Sequence, residues 1–109
     1  MDDLKSQLQS IIERHRGRAA AITAKDLAVF LGENERHVRL MIRELIAEDV
    51  PIASATDNPA GYFIATTWQE VEDYRLSLKS RLIEDALRMR DVRRGFRRRA
   101  EAAVAVRMI

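Results

Sequence analysis

The chain of 109 residues has no cysteine, which excludes disulfides, thiolate metal ligands and cysteine nucleophiles and agrees with a cytosolic setting. It has no apolar run near the roughly 18 residues that a membrane span needs. The polar start MDDLKSQLQS does not read as a secretory signal, so the expected location is cytoplasmic. It lacks a glycine-rich phosphate loop, a nucleophile motif and carboxylates paired in a catalytic context. With two histidines and no cysteine, no metal site is expected either. These gaps argue against an enzyme, and no cofactor or small-molecule substrate is expected. There is also no internal repeat and no low-complexity linker.

A hydrophobic fraction of 47% is enough to form a core, and the length fits one domain with an appended element. The net charge is only +2, but it is unevenly distributed. Residues 1–80 carry 10 Lys/Arg against 13 Asp/Glu, whereas residues 81–109 carry 9 against 4. Seven of those nine are arginines between Arg88 and Arg99. Such a segment either attracts phosphates or forms a solvated helix face.

In chain order, Leu4, Leu8, Ile11, Ile12 and His15 lay one apolar stripe along a helix over residues 3–16, which Gly17 ends. Residues 19–22 are short and apolar and suggest a brief strand. Thr23 is a helix N-cap, with Asp26 three positions on. The helix over residues 24–31 should bury Leu27, Phe30 and Leu31. Gly32 makes the corner into a helix over residues 34–48, whose inward stripe is Val38, Met41, Ile42 and Leu45. Pro51 ends that helix. Residues 52–54 and 62–65 flank an Asp/Asn/Pro/Gly cluster and read as a hairpin. Thr67 and Glu70 form a capping box that opens a long helix, at least 68–94. Val71, Tyr74, Leu78, Leu82, Met89, Val92 and Phe96 track a 3.5-residue repeat that Asp85 interrupts. Gly95 is placed to kink or end this helix. Trp68 and Tyr74 should pack against the hairpin and the first helix, and Glu84 and Asp85 should be surface acids.

The order of elements, and the placement of Ala28, Gly32, Val38 and Met41, resemble the bacterial helix-turn-helix. Ala28 lets two helices approach, Gly32 turns the corner, and Val38 with Met41 locks the second helix on the first. The run Leu45 to Ile52 with its Pro-Ile turn, followed by Gly61–Tyr62, is similar to winged-helix proteins. Such domains include small phage and prophage proteins and the N-terminal domains of biotin-operon-type repressors. The resemblance spans about residues 4–80. One departure is Asp49 where glycine is common; aspartate tolerates the left-handed conformation that the turn needs.

The resemblance implies an α+β, mainly helical fold. It divides into a winged helix-turn-helix domain over residues 1–66, with a β-hairpin wing, and a long C-terminal helix with a basic tail over residues 67–109. It implies a non-catalytic, cytoplasmic protein that binds double-stranded DNA. The expected setting is transcription regulation or a replication-associated phage or prophage role, as a homodimer through the C-terminal helix. The recognition helix would be residues 34–48, entering the major groove. Its outward residues Asn34, Glu35, Arg36, His37, Arg39 and Arg43 are the candidate contacts, together with Thr23 and Lys25 at the preceding helix N-terminus. Further phosphate contacts would be Arg88, Arg93, Arg94, Arg97 and Arg98. The wing offers Ser54, Thr56, Asp57 and Asn58 and no positive charge, whereas DNA-binding wings use Lys or Arg. The uncharged wing and the acidic balance of residues 1–80 favour the alternative, a winged-helix module that binds protein rather than DNA. His15 is expected to be a packed or partly buried histidine rather than a ligand.

Overall fold

Asp3 opens the first element. Its carboxylate accepts from the Ser6 N–H at 2.7 Å, and α1 runs Leu4–Ile12 behind that cap. The computed structural model describes residues 3–108. A short 3-10 turn, Arg18–Ala20, follows α1. Then come α2, Ala24–Leu31, and α3, Glu35–Ala47. The strands β1, Ile52–Ala55, and β2, Gly61–Ile64, precede α4, Trp68–Arg107. The chain is therefore mainly helical α+β, with one antiparallel hairpin and a long C-terminal helix. No helix among the described residues is long and apolar enough to cross a membrane.

The hairpin pairs Ile52 with Ile64 and Ala55 with Gly61. The other edge of β2 is also occupied. Ile22 and Tyr62 exchange backbone hydrogen bonds of 2.8 and 2.7 Å, the Ile64 N–H donates to the His15 carbonyl, and the Gly17 N–H donates to that of Ile64. The brief strand expected over residues 19–22 is thus reduced to a single bridge at Ile22, because the 3-10 turn takes up residues 18–20. The first helix is also shorter than the span 3–16: it stops at Ile12, and His15 turns inward so that its Nδ1 donates to the Ala20 carbonyl at 2.7 Å.

The core lies where α1, α2, α3 and the hairpin meet. Leu8, Ile12, Leu27, Val38, Ile42 and Leu45 have essentially no exposed surface, and Met41, Ile52 and Ile64 join them. At roughly 25 cal/mol per Å² of apolar surface, each such side chain contributes about 2 kcal/mol. One expectation fails here: Phe30 is 70% exposed, as is Val29 beside it at 75%. The inward face of α2 is instead Ala24, Leu27 and Ala28, with Leu31 partly buried. At 3.6 residues per turn Phe30 falls outside that stripe, and the small alanines are what let α2 sit close to α3.

The turn between α2 and α3 has Gly32 at φ 65°, ψ 34°, a left-handed conformation that glycine adopts without steric cost. The Glu33 N–H closes it onto the Ala28 carbonyl at 3.0 Å. The end of α3 uses Asp49 in the same way, at φ 71°, and the Val50 N–H reaches back to the Leu45 carbonyl at 3.0 Å.

Two units divide the chain, Met1–Tyr74 and Arg75–Ile109. The first includes the opening turns of α4. There Thr67 caps the Glu70 N–H at 3.1 Å, and the Glu70 carboxylate is held chiefly by two other backbone groups. One carboxylate oxygen accepts from the Thr66 N–H at 2.8 Å and the other from the Arg18 N–H at 2.7 Å. With Glu70 facing inward, Trp68, two positions earlier on the helix, faces out. Trp68 is 86% exposed and does not pack as expected; Tyr74 is half-buried. In the second unit every described residue is exposed. The helix passes through Gly95 without ending, since an interior glycine costs only about 1 kcal/mol.

Candidate nucleic-acid interface

The face of α3 opposite the core is set by the packing of the other face. Val38, Met41, Ile42 and Leu45 are buried, so the residues half a turn away have no choice but solvent. These are Arg36, Arg39, Leu40 and Arg43, all exposed. The spacing that places four aliphatics in the core thus aligns three arginines along the outer surface. Arg39 forms an ion pair with Glu35 at 3.8 Å, with both side chains about half exposed. Among the described residues, Arg36 and Arg43 have no acid in ion-pair range.

The other candidate residues at this end are less free than their identities suggest. The side-chain oxygen of Asn34 accepts from the His37 N–H at 2.7 Å, capping α3. Bidentate reading of adenine would ask that same oxygen to accept a second hydrogen bond. The His37 ring is held by its Nδ1 against the Glu33 carboxylate at 2.6 Å. At the start of α2, the hydroxyl oxygen of Thr23 accepts from the Asp26 N–H at 3.1 Å, and Lys25 is exposed.

The acids of the first unit are mostly engaged away from this face. Lys5 of α1 holds Glu48 at 2.6 Å and Glu44 at 3.6 Å, and these two carboxylates push the Lys5 ammonium above its usual range. Glu13 pairs with Arg16 at 3.6 Å. Glu70 is spent on backbone N–H groups, which hold its carboxyl below the ordinary carboxylate range. Among the described residues, Glu35 is thus the one acid in ion-pair range of the three arginines of α3, although the unit as a whole is acidic.

The hairpin loop brings a residue that the sequence did not single out. Arg18, from the 3-10 turn, donates to the Asp57 carbonyl at 3.0 Å and to its carboxylate at 3.3 Å. Asp57, the acid among the wing residues, has its charge met by a half-exposed guanidinium. The pair is neutral, so a guanidinium stands at the loop without giving it net positive charge. No local signal marks this, because 39 positions separate the two residues. Ser54 is partly buried on β1, and Thr56 and Asn58 are exposed in the loop.

The C-terminal arginines form a separate group, in the second unit. Arg88 lies 3.8 Å from Asp85; Arg90 and Arg94 share Asp91 at 3.2 and 3.0 Å. Arg93, Arg97 and Arg98 have no ion-pair partner among the described residues. No cluster of three His, Cys, Asp or Glu side chains that could hold a metal occurs among the described residues. No protein-family model, no curated protein and no solved structure matches this chain.

Proposed function

We propose that the first unit is a winged helix-turn-helix that binds double-stranded DNA without catalysis. In this reading α2 and α3 are the helix pair, the hairpin is the wing, and α3 enters the major groove. The observation that carries it is the opposition on α3 between four buried aliphatics and three aligned, exposed arginines. A guanidinium can donate two hydrogen bonds to guanine O6 and N7, and Arg36, Arg39 and Arg43 stand in one row along a groove-sized helix. Lys25, exposed in the first turn of α2, would contact phosphate at a helix N-terminus. The chain acts as a homodimer through α4, in transcription control or in a replication-associated phage or prophage role, as the resemblance implies. The basic segment of α4, with Arg88, Arg93, Arg94, Arg97 and Arg98, adds salt-sensitive attraction to the duplex.

Binding-site selection from random duplexes with the purified protein tests this directly. A site should be enriched, and Arg39→Ala should weaken binding to it by about 1–3 kcal/mol while relaxing the base preference beneath that residue. An unaltered footprint and affinity for the variant would remove Arg39 from the interface.

A second reading draws on Val29 and Phe30, adjacent and largely exposed on α2. They form an apolar spot suited to a protein partner. Failure of the selection to enrich any duplex, even at low salt, would favour this protein-binding module over the DNA reading.

A further inference from the structure

The buried stripe of α3, Val38, Met41, Ile42 and Leu45, fixes which residues stand farthest from the core. At about 3.6 residues per turn, Arg36, Leu40, Arg43 and Ala47 fall within about 30° of the direction opposite that stripe. All four are exposed. Arg39 and Glu44 lie roughly 70° to either side of that direction. There Arg39 pairs with Glu35 at 3.8 Å, and Glu44 with Lys5 at 3.6 Å. The outermost ridge of the helix therefore carries two guanidinium groups with no acid in ion-pair range among the described residues. Between them stands Leu40, 47% exposed.

A single exposed leucine is ordinary on a protein surface. What gives Leu40 a meaning is its place, since an anionic surface that meets Arg36 and Arg43 together must also meet the residue between them. A row of phosphates offers that side chain nothing apolar. The major groove does, because each thymine presents its C5-methyl there, beside the hydrogen-bonding edges that polar side chains read. The spacing suits the same surface. Arg36 and Arg43 stand about 10 Å apart along the helix axis, close to three base-pair steps of roughly 3.4 Å, and Leu40 lies inside that interval.

We propose that Leu40 is a specificity-determining residue that packs on the C5-methyl of a thymine, between two guanines met by Arg36 and Arg43. This rests on the DNA-binding reading above and adds a sequence to it. The bound duplex carries a T·A pair inside an interval of about three base-pair steps, and G·C pairs stand at its ends. The leucine contact is apolar burial without a hydrogen bond, so it discriminates by the methyl group alone. One buried methyl corresponds to about fourfold in affinity.

Uracil keeps every hydrogen-bonding atom of thymine and lacks only the methyl group, which makes the test clean. In the duplex enriched by site selection, each thymine is replaced in turn by uracil, and binding of the full-length chain is measured. Replacement of the thymine between the two guanines should weaken the parent about fourfold. The Leu40→Ala variant should bind both duplexes alike, as the parent binds the uracil form. The uracil series on the parent chain decides the matter whether or not the variant folds. An enriched site with no uracil-sensitive thymine would overturn the role of Leu40 and leave DNA binding standing. A folded Leu40→Ala variant that still distinguishes the two duplexes would do the same. Failure to enrich any duplex would overturn the DNA reading and this inference together.

Discussion

At Gly61 the hairpin passes so close to Ile22 that a β-carbon would lie 2.4 Å from the Ile22 carbonyl carbon and oxygen. The residue also sits at φ 131°, in a region closed to other side chains. Gly61→Ala should therefore destabilise the first unit by about 3 kcal/mol or more, read as a lower midpoint in urea unfolding; a change below about 1 kcal/mol would show that the hairpin can move off Ile22. At Gly32 the surrounding space is open and only the left-handed backbone resists substitution. The two glycines differ in legibility for this reason. Gly32 lies between two helices and its role is local, so it can be read from its neighbours in sequence. The crowding at Gly61 comes from a residue far earlier in the chain. The same holds for Arg18, whose partner Asp57 sits in the hairpin loop. Arg36, Arg39 and Arg43 were readable as an outward row because helical periodicity is local, but the hydrogen bonds that occupy Asn34 and His37 were not.

Among the elements, α4 was legible at its start and not at its end. Thr67 and Glu70 marked the first turn correctly, although the carboxylate is held chiefly by Thr66 and Arg18. Gly95 was a poor guide to the end, since one glycine is a modest cost within a long run of good helix formers. In α2 the largest apolar residues suggested the buried face, but alanine won because close helix approach favours small side chains. The Glu70 tie joins α4 to the 3-10 turn, and its charge makes the joint acid-sensitive. Donation by the Thr66 and Arg18 N–H groups holds the folded-state carboxyl below its ordinary value of 4.5. The resulting stabilisation is complete above that value and is lost as the pH falls below it. Glu70→Gln should cost about 1 kcal/mol at neutral pH, after allowance for solvent screening. In urea titrations across pH, the gap between variant and parent should close in the acid range. A gap that stays constant down to the acid limit would mean the carboxylate charge is not what stabilises the joint.

At the scale of the whole molecule, the charge asymmetry along the chain was visible in composition. What composition could not convey is how completely the two parts differ in their source of order. The first unit has a core that α1, α2, α3 and the hairpin share. Among the described residues the second has no buried side chain; its ion pairs include Arg94 with Asp91, and each such pair is worth a few tenths of a kcal/mol.

A helix without tertiary packing keeps its shape only as well as propensity and length allow. The secondary structure of residues 75–108 is therefore expected to be a property of the solution as much as of the chain. If the chain pairs through α4 as proposed, then over about a hundredfold dilution through the dissociation constant the far-ultraviolet ellipticity per residue should fall by the contribution of these residues. The urea midpoint of the core should stay fixed. Ellipticity that is indifferent to dilution would show that this helix stands without a companion.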